Sequence, residues 1–316
     1  MSKLNKNIGN FYQKISPFVA ELTGTFVFVF VGQSIVLQQL TNNSAATFNY
    51  FAVCLGYGLA LMMGIFVSGG LSGGHLNPVI SLGFVMFRSF RPFNMVMYFI
   101  MQMMGAVLGN FVSYCVYFDK VRVMTNLNFF GETGLYQNAT TEASTTSIQS
   151  SLYESIGTDG SFLSSLLALA NKKSENTLIV FDENTPKNGL VASVFSLFFC
   201  ELVGTCLLTI GIFAITDIKN SSSRKVAPIT IGLLYFGCKL VFGLASHGGT
   251  FNPALDASSR LLGALFFSKL KIPGLFQPIY MISTIIGPFI GGILGASFYE
   301  ALTWSNEEHR VKVGEK

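Results

Sequence analysis

Two short stretches set the terms for the rest of the chain: Ser72-Gly73-Gly74-His75-Leu76-Asn77-Pro78-Val79 and Gly248-Gly249-Thr250-Phe251-Asn252-Pro253-Ala254. Each is a glycine-marked turn running into Asn-Pro. That pair suits a helix start, because Asn caps well and Pro is tolerated at the first helical position, where its missing N–H would have had no partner. Both stretches lie inside apolar sequence of membrane length. About 10 helix-compatible residues follow each Asn-Pro (79–87 and 254–262), and that many residues cover about 15 Å, half of a bilayer core. The spacing predicts two half-helices. Entering from opposite faces, their N-termini would meet near the midplane and aim two Asn amides and two positive dipole ends at one spot, which makes a pore constriction. The plainer alternative is a pair of ordinary interhelical loops.

Composition places the chain in lipid. Its 316 residues are 50% hydrophobic and only 11% charged, with a mean hydropathy of +0.52, which is too little charge for a soluble domain. Apolar stretches long enough to span fall at 18–37, 50–68, 93–118, 190–215, 226–245 and 277–302. The expected fold is therefore an all-α membrane protein with six spanning helices and two re-entrant half-helices, a single domain over 1–316. Ala20-Glu21-Leu22-Thr23-Gly24-Thr25 opens the first half and Cys200-Glu201-Leu202-Val203-Gly204-Thr205 opens the second. The chain thus divides into repeat one at 18–118 and repeat two at 190–302, separated by 119–189. Three spans per repeat is an odd number, so the second copy must be inverted relative to the first, around a central pore.

Short loops on one side carry Lys14, Arg88, Arg91, Lys219, Arg224 and Lys225, with further Lys and Arg in both tails. Those opposite carry only Arg260, Lys269 and Lys271. The bias predicts cytoplasmic tails at 1–17 and 303–316 and an extracellular 119–189 segment. That segment is rich in Ser, Thr and Asn and reads as a loop with one short amphipathic helix at 162–170. The sequons at Asn42 and Asn138 would face outward and accept N-glycans, while the one at Asn220 would stay inside, unmodified. The N-terminus has no cleavable signal peptide pattern. No basic run suggests nucleic acid. Cys54, Cys115, Cys200, Cys206 and Cys238 lack metal-ligand spacing and read as small buried hydrophobes, so no cofactor or metal is expected.

With these residues in view, the chain resembles the aquaporin (major intrinsic protein) family over about 18–302, apart from most of the 119–189 segment. The carriers are the two Asn-Pro boxes and the Glu-x-x-Gly-Thr of the first and fourth spans. Gln102-x-x-Gly105-Ala106, Ala227-Pro228-x-x-Ile231-Gly232 and Gly287-Pro288-x-x-Gly291-Gly292 complete the set. Within the family it leans to the aquaglyceroporin branch, whose markers match Asp256, Arg260 and Ile285; the proline usual beside the last is Thr284 here. Two departures stand out. The first box ends in Val79 where the family has Ala, and Leu255 stands where the family has an arginine.

The resemblance implies a passive channel for water and small neutral solutes such as glycerol, assembled as a homotetramer in the plasma membrane. A permeant in single file loses most of its hydration, so the pore must replace those bonds. Asn77 and Asn252 would donate to the permeant oxygen, while carbonyls of 73–76 and 248–251 would accept. By position, Tyr57, Lys239, Gly249 and Leu255 would form the selectivity filter, although a lysine snorkelling to the interface is the alternative for Lys239. Glu21 and Glu201 would brace the two boxes through backbone N–H groups rather than relay protons. His75 would brace its loop, with a pH sensor as the sharper reading. The competing functions are a non-conducting, adhesive family member and an ion-conducting relative lacking the filter arginine.

Overall fold

The structure, a computed structural model, describes residues 3–40, 49–125, 194–243, 249–267 and 281–303. Asn42, Asn138, His247, Gly248, Lys269, Lys271, the stretch 162–170 and the tail from 304 onward lie outside them. Between short turns the described chain is helical. In order it forms α1 (Lys3–Leu40), α2 (Tyr50–Ser72), α3 (Pro78–Phe87), α4 (Pro92–Val116), α5 (Phe118–Thr125), α6 (Val194–Thr216), α7 (Ser221–Lys225), α8 (Ala227–Phe242), α9 (Pro253–Phe267) and α10 (Gly287–Leu302).

Five of these helices are long and apolar enough to cross a membrane, and α8, described for 16 residues, supplies the sixth span. Both predicted half-helices are present as α3 and α9, the second running on to Phe267. The chain is a multi-pass membrane protein of six spans and two half-helices in inverted repeats. Within each repeat, α1 packs on α2 and α4, and α6 packs on α8 and α10; α2 against α8 joins the halves. The half-helices trade places between repeats. α3 lies on α10 as well as α4, and α9 lies on α4.

The tightest crossings rest on glycine. A Cβ on Gly105 would overlap the Leu22 carbonyl of α1, and a Cβ on Gly291 would overlap the Leu202 carbonyl of α6. Because the obstacle in each case is backbone, it cannot rotate away. Gly105→Val and Gly291→Val should therefore each lower the thermal midpoint of the detergent-solubilised protein and its monodisperse yield. A midpoint equal to wild type would show that the helices can part at no cost.

Three local outcomes differ from expectation. The 1–17 tail is largely helical, since α1 starts at Lys3 and runs through Pro17 into the span. Pro17 cannot donate to the Gln13 carbonyl, and the Ser16 hydroxyl donates there instead at 3.4 Å. The segment after the third span begins as α5 because it has something to bury: Val121 is sealed in the core and the Phe118 ring meets Tyr114 edge-on at 5.7 Å. Arg260, counted among the loop cations, lies instead inside α9, buried and paired with Asp256. It therefore carries no weight in the orientation bias.

Ahead of α10 the chain makes a π-helical turn over Ile282–Ile286. Pro288 has no N–H for the Thr284 carbonyl, and the Gly287 N–H reaches back to the Ile282 carbonyl, so the wider turn absorbs the lost bond. At the C-terminal end of α3, Arg88 forms ion pairs with Glu300 at 2.8 Å and Asp217 at 3.7 Å, its guanidinium lying 5.2 Å from the Phe213 ring centre. Burial alone would raise the Asp217 carboxyl. Bonds from the Lys219 N–H and the Tyr299 hydroxyl, together with the Arg88 charge, hold it below the usual range instead.

Candidate functional site

The two Asn-Pro boxes meet, and their contacts match residue for residue. Asn77 caps α3: its Oδ1 accepts the Val79 N–H at 2.9 Å, with Pro78 at the first helical position. Asn252 caps α9 in the same way, accepting the Ala254 N–H at 3.1 Å, with Pro253 next. Each amide nitrogen then crosses to the other box. Asn77 Nδ2 donates to the Phe251 carbonyl at 2.8 Å, and Asn252 Nδ2 donates to the Leu76 carbonyl at 2.8 Å. Leu76 and Phe251 sit in the left-handed region at φ 49° and 48°, a conformation that costs a non-glycine residue about 1 kcal/mol or more. The strain turns each carbonyl across the axis toward its acceptor role. An amide nitrogen carries two N–H groups, so one on each Asn remains without a protein partner among the described residues.

The strained turns are held by buried carboxylates. Glu21 accepts the His75 and Leu76 N–H groups at 2.9 Å each, the Ser72 hydroxyl at 2.7 Å and the Gln102 amide at 2.7 Å. Glu201 accepts the Thr250 N–H at 2.8 Å and the Phe251 N–H at 2.9 Å. His75 is wedged between Phe84, Phe90 and Tyr98 at 4.7, 4.9 and 5.2 Å, with Nδ1 3.0 Å from the Ser81 hydroxyl. Val79 fills the space left by Gly292, where any Cβ would overlap it, so the larger residue in the first box is accommodated on α10.

A cavity lined by both Asn77 and Asn252 lies at the paired amides, with Thr216 and Tyr235 also in its wall. Gly73, Gly74, His75, Asn77 and Asn252 form its polar side, and Phe28, Leu61, Ile65, Leu208, Ile212 and Ile231 form its apolar side. No side chain among the described residues donates to the Gly73, Gly74 or His75 carbonyls, so these acceptors are available to a molecule in the cavity.

Around Lys239 the picture changes. Lys239 is buried rather than snorkelling, 1% exposed, with Nζ donating to the Gly249 carbonyl at 3.2 Å and lying 4.3 Å from the Tyr57 ring centre. Tyr57 and Leu255 are equally buried. The Tyr235 hydroxyl donates to the Thr250 carbonyl at 2.9 Å. The second box thus departs from expectation: its described carbonyls at 249, 250 and 251 are all occupied by protein donors, as is Leu76 in the first box.

Asp256 grips Arg260 through two bonds, Nε to Oδ2 at 2.7 Å and Nη2 to Oδ1 at 3.1 Å, and accepts the Thr284 hydroxyl at 2.8 Å. The third partner gives Thr284 a role that a proline, having no side-chain donor, could not fill. Ile285, beside it in the π turn, is half-buried. Tyr235 escaped the sequence reading, and Thr284 entered it only as a departure from the branch's proline. A signal for Tyr235 existed: Ile231, Tyr235 and Lys239 recur every four residues and form one face of α8.

Opposed half-helices meeting through two capping amides, inside six inverted-repeat spans, define a membrane channel architecture. The sequence profile described as Major intrinsic protein matches residues 10–178 and 138–299, and the chain belongs to that family, whose members are channels rather than enzymes. It is 27% identical over 294 residues to Aquaporin-10 of Milnesium tardigradum, covering 89% of this chain but spanning only 61% of that protein. It is 28% identical to Aquaglyceroporin-2 of Rhizophagus irregularis, over 92% of this chain and 78% of the relative. Human Aquaporin-9 is also 28% identical, over 89% and 80% respectively. Among solved structures, the aquaglyceroporin from Plasmodium falciparum superposes with a TM-score of 0.63 over 90% of this chain and 95% of that one, at 23% identity, which shows the fold alone.

Proposed function

We propose that this protein is a passive channel for water and small neutral solutes such as glycerol. The observation that carries the reading is the pair of Asn amides, each fixed by its own helix cap and by the opposite box, and both lining the cavity. A permeant oxygen would accept from these two donors while its own hydrogens meet the Gly73 to His75 carbonyls. The apolar wall opposite offers no competing partners. As in aquaporin-type pores generally, two half-helix N-termini aimed at one point oppose cations there. The names of the relatives, several of them aquaglyceroporins, favour glycerol beside water.

In this reading Tyr57, Lys239, Gly249 and Leu255 make the filter, with the Lys239 ammonium standing in for the arginine absent at Leu255. That placement argues against the ion-conducting alternative. The tails face the cytoplasm, Asn42 and Asn138 face outward, and the assembly is a homotetramer in the plasma membrane. Asp256 and Arg260 hold the second half-helix from within. Proteoliposomes in a stopped-flow instrument test the function. They should shrink in sucrose faster than empty vesicles and regain volume in an inward glycerol gradient. Fast shrinkage without regained volume would restrict the channel to water, and neither response would leave the non-conducting alternative standing.

A further inference from the structure

The two halves of the passage offer a permeant different chemistry. Before the paired amides, the Gly73, Gly74 and His75 carbonyls accept from no side chain among the described residues. Beyond them, the Thr250 carbonyl is taken by the Tyr235 hydroxyl at 2.9 Å and the Gly249 carbonyl by Lys239 Nζ at 3.2 Å. Tyr235, whose side chain is 1% exposed, is itself one of the residues lining the cavity. Its ring is locked edge-on against three other aromatics, Phe28 at 5.7 Å, Phe251 at 6.3 Å and Tyr57 at 6.5 Å. The collar has no slack for a sideways shift without disturbing all of them.

We propose that Tyr235 is a specificity-determining residue of the channel, setting both the width and the hydroxyl chemistry of the second half of the passage; this rests on the channel reading above. A polyol brings several O–H donors at once and needs an acceptor for each as it is stripped of water. At this level the backbone acceptor is already engaged. To donate to that carbonyl the solute must displace the phenol from Thr250. Water, with two hydrogens and a smaller body, meets the same demand more easily. Tyr235 therefore discriminates against longer polyols by two separable means, its ring by size and its hydroxyl by occupying the acceptor.

Tyr235→Phe and Tyr235→Leu separate them. Tyr235→Phe keeps the ring and collar but frees the Thr250 carbonyl, so the ratio of glycerol to water permeability in liposomes should rise about threefold to tenfold, the rate equivalent of one ordinary hydrogen bond. Tyr235→Leu should in addition admit four- and five-carbon polyols that wild type excludes. An unchanged glycerol-to-water ratio in Tyr235→Phe overturns the proposal, and because that variant is isosteric it decides the matter even where Tyr235→Leu fails to fold. Wild-type vesicles that pass water while the ratio stays fixed sink this inference alone. Wild-type vesicles no leakier than empty ones sink the channel reading with it.

Discussion

Liposomes carrying Asn77→Asp or Asn252→Asp should show water permeability at the level of empty vesicles. Aspartate caps a helix as well as asparagine does, so the bond to the Val79 or Ala254 N–H survives and the half-helix should persist. What is lost lies on the other side of the group. Where Nδ2 now donates to a carbonyl at 2.8 Å, a carboxylate oxygen would face that carbonyl oxygen with no hydrogen between them. The positive ends of the half-helices offset part of the cost of a buried charge, worth about 1 kcal/mol, but not the several kcal/mol of an unpaired ion. The remaining N–H that would meet the permeant also disappears, and the new negative charge invites cations to the midplane. Stopped-flow light scattering on monodisperse protein is the measurement. Water flux like wild type in either variant would remove the constriction from the two boxes.

Lys239→Met should raise cation leak on the order of a thousandfold while leaving neutral-solute flux unchanged or higher. A cation brought to ~4 Å from an ammonium meets about 4 kcal/mol of repulsion at an effective dielectric near 20, and that sets the factor. The ammonium is placed for the task. It is buried, anchored on the Gly249 carbonyl and seated against the Tyr57 ring. Methionine keeps most of the apolar stem and removes the charge together with its bond to the Gly249 carbonyl. Adding Leu255→Arg should restore exclusion by returning a fixed guanidinium to the half-helix. Conductance in planar bilayers checks both variants, and an unchanged leak in Lys239→Met would show that the second half excludes ions by other means.

The sequence by itself determined the spans, the half-helices and the residues that brace them. Lipid allows no unsatisfied backbone, so apolar runs of spanning length must be helices and an Asn-Pro inside one must start a new one. A carboxylate such as Glu21 or Glu201 in such a run must find donors, and the nearby turns are where backbone N–H groups lack partners. Repetition of the Glu-x-x-Gly-Thr and Asn-Pro elements then fixed the inversion by parity alone. What only the tertiary structure decided are the meetings across the repeats. Asn77 reaches Phe251, and Asn252 reaches Leu76, through left-handed turns that no local propensity favours at leucine or phenylalanine. Lys239 points inward, though its length and place near a helix end would equally have suited snorkelling. Arg260, read as a loop cation, is buried because Asp256 lies one turn earlier and Thr284 closes the carboxylate from another helix. The occupancy of the Gly249 and Thr250 carbonyls was least legible of all. A hydrogen bond depends on a few tenths of an ångström between elements packed by shape, and hydropathy and spacing carry no record of that distance.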